Sequence, residues 1–292
     1  MADSALLISR AGLYVLLALV AGLPLYHWLA RPRALTYGRW VMGSALIGAL
    51  FFSALWLVAS AASMMGTPLS DVNKDALMLL LGAPGMGMAF RVRIFALGAC
   101  LFLLPWAKAP RAWTLMLQSL LGLVALFTLA WTGHAAASSS VWQYPHLMAD
   151  FIHMAAAALW MGALFSLLRA VFQSRLGAAQ LAAQLADFSR LGTWVVVLLV
   201  LTGLVNIAAI AGIAHMPQLL HYEWGQWLAL KLLAFCGMLG LAALNRWWLT
   251  PHLLSTGQRT GLRLSLLVET SLWLVIVALV AHLGRLDPSA LA

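Results

Sequence analysis

His146, Asp150 and His153 fall at i, i+4 and i+7 in the run Q-Y-P-H-L-M-A-D-F-I-H-M. On an α-helix those offsets share one face. Two imidazoles and a carboxylate in a stripe can hold a divalent or soft transition-metal ion. Pro145 suits the first turn of such a helix, where its missing N–H would go unpaired in any case. Gly133-His134 precedes the serine-rich stretch Ser138-Ser139-Ser140, a loop that can return His134 to the same place. Asp150 serves either as a ligand or as the acceptor that orients an imidazole.

Two further groups carry the same chemistry. His215-Met216-Pro217, with His221 and Glu223, forms a polar connection suited to capturing a metal before it enters the bundle. His282, near the end of the last apolar run, can complete the same mouth. Met86-Gly87-Met88 places two thioethers in a connection on that side. Imidazole together with thioether suits copper, and sulfur favours Cu(I). Glu269 and Lys231 each lie inside an apolar run, where ionisable groups are expensive and tend to face a partner or a path. A direct Lys231–Glu269 pair is possible but not implied, and Asn206, Asn245 and Thr202 can join such a polar interior. Cys100 and Cys236 fall near mid-span without a CxxC pattern, so two buried free thiols are expected. A thiolate step for Cu(I) is the sharper alternative. No catalytic constellation is read, and a carrier rather than an enzyme is expected.

The elements that must position these groups are membrane helices. The chain of 292 residues is 64% hydrophobic and only 9% charged, against about 25% charged in soluble domains. Apolar runs at about 5–29, 39–62, 88–106, 111–132, 146–170, 189–212, 224–248 and 261–284 are each long enough to cross a hydrocarbon core of roughly 30 Å. The expected fold is therefore all-α: a polytopic membrane helix bundle of about eight transmembrane helices, forming one integral membrane domain over 1–292. The first run is too long for a signal-peptide core and lacks a basic start, so it is read as a retained span. Nothing resembles a nucleotide-binding module.

The net charge of +9 does not point to nucleic acid, because the bases follow the loops. Arg31, Arg33, Arg39, Lys108, Arg111, Arg169, Arg175, Arg190, Arg246, Arg259 and Arg263 lie in the connections after odd-numbered spans. The intervening connections hold Lys74 alone. That bias places the basic side in the cytoplasm and both termini in the periplasm. His134, His146, His153, His215, His221 and His282 then gather on the outer side, leaving only His27 and His252 on the inner. Tryptophans such as Trp28, Trp106, Trp131, Trp224 and Trp247 sit near span ends as an aromatic belt. Trp160 instead lies deep on the His146/Asp150/His153 side, walling that site from below.

Several of these residues fall into a familiar order. G-H-A at 133–135, D-x-x-H-x6-W-x-G at 150–162, T-G at 202–203, W-G-x-x-L-x-x-K at 224–231, N-R at 245–246 and the intramembrane Glu269 together resemble the copper resistance protein D family of bacterial inner-membrane proteins. The resemblance covers about 130–285, while the first half matches only in hydropathy. Trp224 stands where the family is expected to carry Tyr, and the segment before Ser189 lacks an expected Arg. The resemblance implies passage of copper from periplasm to cytoplasm alongside a small periplasmic copper carrier of the CopC type, here a separate partner. The alternatives are a membrane b-type haem protein, whose best histidine pair is His153 with His282, and an assembly factor for another copper protein.

Overall fold

A computed structural model describes residues 2–32, 38–108, 111–132, 143–211 and 219–286. We number its helices α1 (Ala2–Ala30), α2 (Arg39–Met65), α3 (Lys74–Gly82), α4 (Met86–Leu103), α5 (Ala112–Phe127), α6 (Gln143–Phe172), α7 (Ala178–Ala211), α8 (Glu223–Leu244), α9 (Thr250–Thr256) and α10 (Thr260–Leu283). No strand occurs among the described residues, so the chain is an all-α polytopic bundle. Seven stretches, including α4 with its following turn and α8 continued through α9, are long and apolar enough to span a membrane. The expected span at 111–132 is shorter than the sequence suggested. Its helix α5 has 16 residues, about 24 Å at the α-helical rise, and a 3₁₀ turn at Ala130–Thr132 extends it.

Local chemistry sets most boundaries. α2 stops at Gly66, whose φ of 66° lets its N–H reach back to the carbonyls of Ala62 and Ser63. Asn73 caps α3, its side chain accepting from the Ala76 N–H. α7 begins well before Ser189, because Leu181, Ala182 and Leu185 give its start an apolar face that buries. Arg259 donates to the carbonyls of Gln173 and Leu176, and Arg263 to that of Val171. Those arginines satisfy carbonyls that the end of α6 leaves open.

α1 is the hub. It packs against α2 and α5 on one side and against α6 and α10 on the other. The first half of the chain and the second half meet where α1 crosses α6. A Cβ on Gly22 would fall on the Ala158 carbonyl, and one on Gly162 would fall on the Gly22 carbonyl. Behind α1, a Cβ on Gly122 of α5 would come 2.7 Å from the Ala21 Cα. Close backbone approach through small residues is how membrane helices gain contact without a hydrophobic driving force.

One polar group in the first half, which in the sequence only interrupts the start of an apolar run, is buried in the fold. Arg93 of α4 is fully buried, 0% exposed. Its Nε donates to Thr128 Oγ1 at 2.7 Å, and its guanidinium lies 5.1 Å from the Trp56 ring centroid. Thr128 passes its own proton to the Ala125 carbonyl. Removing that acceptor strands a charged donor, so Thr128→Val is expected to destabilise the folded protein by about 1.5–3 kcal/mol, the range for hydrogen bonds to charged groups. Denaturant unfolding of detergent-purified protein checks this.

Candidate metal site

α6 begins at Gln143 and carries His146, Asp150 and His153 down one face. His146 is 4% exposed, and its Nε2 lies 3.9 Å from Asp150 Oδ2. That nitrogen is buried and makes no hydrogen bond among the described residues. α7 supplies the second wall. Asn206 Nδ2 donates to Asp150 Oδ1 at 2.6 Å. One turn away, His153 Nδ1 sits 2.9 Å from Thr202 Oγ1.

The Thr202 contact bears on the state of the ring, because Thr202 Oγ1 also reaches the Leu198 carbonyl. With its hydroxyl proton given to that carbonyl, Thr202 accepts from His153 Nδ1–H and leaves the Nε2 lone pair available, the arrangement that outer partners commonly impose on metal-binding imidazoles. A Cβ on Gly203 would meet His153 Cε1 at 3.7 Å, an ordinary van der Waals contact, so α7 lies against the ring without needing glycine there.

Lys231 of α8 interacts electrostatically with Asp150 and with His153. Glu269 is bonded elsewhere: its Oε1 accepts from Trp160 Nε1 at 3.0 Å and its Oε2 from Asn245 Nδ2 at 3.1 Å. The two ionisable groups expected inside the bundle thus belong to separate clusters. Trp160 lies two turns below His153 on α6 and forms the link between them.

The other sequence candidates scatter. His134 and His215 lie outside the described residues. His221 is exposed in the turn before α8. His282 lies on Trp227, with ring centroids 4.6 Å apart, beside the apolar cluster of Ala211, Trp224, Leu228 and Leu283. Met86 packs against the cluster of Leu57, Ala61 and Leu80 in the first half of the bundle, and Met88 is exposed. Cys100 is buried, with its Sγ 3.8 Å from the Gln118 carbonyl. Cys236 departs from expectation: it is exposed on the bundle surface, because α8 turns that face outward. Among the described residues, no three His, Cys, Asp or Glu side chains converge at metal-binding spacing. The α6 stripe offers its groups in sequence down the helix rather than around one point.

Sequence reasoning foresaw the α6 stripe but not its partners. Asn206 and Thr202 were visible only as polar residues in an apolar span. Their spacing of four on α7, matched to Asp150 and His153 on α6, is the signal that pairs them.

A multi-pass helix bundle whose apolar interior holds imidazoles, carboxylates and an ammonium group defines a polytopic membrane protein with a polar interior. Comparison with known proteins gives its family. Residues 1–144 match the family model for the copper resistance protein D-like N-terminal domain, and residues 182–283 match that for copper resistance protein D. Over 259 residues, 84% of this chain and 82% of the relative, the sequence is 32% identical to copper resistance protein D of Pseudomonas syringae pv. tomato. No solved structure matches. The chain belongs to the copper resistance protein D family, and is a copper-related membrane protein. The family likeness extends over the first half as well, where the residues alone had offered only hydropathy.

Proposed function

We propose that the protein moves copper ions across the bacterial inner membrane, from periplasm to cytoplasm, and transforms nothing chemically. The observation that carries this reading is the α6–α7 pairing, in which Asn206 and Thr202 hold Asp150 and His153 while His146 Nε2, 3.9 Å from Asp150, makes no hydrogen bond among the described residues. Imidazole nitrogen and carboxylate oxygen at successive depths give an entering ion stepwise replacement for its hydration shell. Copper is the substrate here. Both termini face the periplasm in this reading, as the basic loops require, and a small CopC-type carrier delivers the ion to the mouth. By sequence position His134, His215, His221, His282, Met86 and Met88 remain capture candidates, with His221 exposed in the turn before α8.

Thr202 offers the cleanest test, because it touches the ring and not the ion. Thr202→Val keeps the shape and removes the acceptor that fixes the His153 tautomer. Loss of such an outer partner typically costs about 10–100-fold in metal affinity, and the same loss is expected here. Competition titration of purified protein with a copper chelator measures it. Thr202→Ser, which keeps the hydroxyl, is expected to bind as wild type does. Equal affinity in the valine variant would remove the oriented-imidazole basis of the reading.

A further inference from the structure

Glu269 is the most enclosed acid among the described residues, 1% exposed, and both of its bonded partners are neutral N–H groups, the Trp160 indole and the Asn245 amide. No cationic group bonds it among the described residues. Four elements pack on α10: α8, the π turn after it, α6 and α1. Their charged and titratable groups toward this end are Tyr26 and His27 on α1 and Arg169 on α6, with His27 3.5 Å from Ser166 and close enough to Arg169 to feel its charge. Lys231 is attracted electrostatically by Asp150 and opposes a charge on His153, and Arg246 is exposed. Arg259 and Arg263, in the N-terminal region of α10, hold carbonyls at the end of α6.

A carboxylate enclosed this way is costly unless its charge is compensated. The acceptors left unpaired nearby are oxygens too: Asn245 Oδ1, and Ser265 Oγ one turn along the same face of α10. A donor set of oxygen without sulfur or imidazole does not favour a soft ion such as Cu(I). A proton fits it and needs no cavity. Asn245 opens a five-residue π-helical segment, Asn245–Leu249, and such local widenings recur at functional sites. Pro251 explains the widening, since it removes a donor from the ladder just beyond.

We propose that Glu269, held by Trp160 and Asn245, is a proton-binding site that couples copper movement to a proton gradient. This rests on the copper-transport reading. In the loading step one proton adds to a carboxylate oxygen and the group becomes neutral; in the release step that O–H bond breaks and the proton leaves. No electron moves. α6 carries the linkage, because Trp160 senses Glu269 while His153, seven residues earlier, belongs to the copper site.

Two measurements test it. In proteoliposomes containing purified protein and a trapped Cu(I) indicator, collapsing an imposed pH gradient with a protonophore is expected to change wild-type copper uptake severalfold. Uptake by Glu269→Gln is expected to be the same with and without the gradient, with copper binding retained. Uptake by wild type that ignores the gradient, that follows a sodium gradient instead, or a Glu269→Gln variant that still responds, would overturn the proposal. The second measurement needs no transport. Infrared difference spectra of wild type across a pH change should show a carboxylic-acid band that Glu269→Gln lacks, and identical spectra would count against the site. Absence of copper uptake in every sample would defeat the copper reading, while the infrared comparison would still decide the proton site.

Discussion

Cells producing the His146→Ala/His153→Ala variant are expected to accumulate no more copper than cells lacking the protein, although the variant reaches the membrane in normal amount. The double change removes His146 Nε2, buried beside Asp150 without a hydrogen bond among the described residues, and the His153 ring held at Thr202 together. Losing an outer partner alone costs about 10–100-fold in affinity, and losing two ligands must exceed that. Asp150 would remain, held by Asn206 and facing Lys231, but a carboxylate already engaged by an amide and an ammonium group is a poor solitary ligand. The fold is expected to tolerate the change. Among the described residues His146 makes no hydrogen bond through Nε2, and the Thr202 hydroxyl beside His153 keeps its own carbonyl partner. Membrane-fraction immunoblots establish insertion, and elemental analysis of washed cells measures accumulation. His252→Ala, exposed on α9 and outside the α6 site, is the contrast and is expected to retain most uptake.

The second large effect is structural. Gly162→Val is expected to abolish recovery of folded, monodisperse protein. A side chain in a packed core normally costs about 1–3 kcal/mol when neighbours can shift. Here the obstruction is the backbone of Gly22, which has no rotamer to change. α1 cannot retreat either, because Gly122 of α5 holds it from behind. The two halves of the bundle must therefore separate, and α6 loses the support that sets the depth of His146, Asp150 and His153. Size-exclusion chromatography in mild detergent reads this directly. A monodisperse Gly162→Val peak with wild-type thermal stability would show that the crossing is not as close as described.

Composition and run length made the helices legible, and charge in the loops suggested their order in the membrane. Boundaries failed where local chemistry competes with hydropathy. α5 proved short because the chain leaves the α-helix after Phe127 and tightens into a 3₁₀ turn at Ala130–Thr132. α7 began early because Leu181 and Leu185 bury a face that hydropathy alone does not mark. The His146, Asp150 and His153 stripe could be read because a helix fixes its own neighbours. Asn206, Thr202 and Lys231 could not be assigned to it, since which helices touch is decided by small residues such as Gly22 and Gly162. Glu269 was visible as an isolated acid, yet its partners Trp160 and Asn245 come from two other helices. Arg93 was legible only as an interruption, and its burial against Trp56 and Thr128 depends on α2, α4 and α5 meeting.

X-ray absorption at the copper edge, on purified protein loaded with one equivalent of copper, tests the central claim most directly. The expected spectrum shows a first shell of nitrogen and oxygen with outer scattering from imidazole rings, and that signal disappears in the His146→Ala/His153→Ala variant. A shell of sulfur alone, or a wild-type spectrum unchanged in the double variant, would contradict copper recognition by the α6 imidazoles.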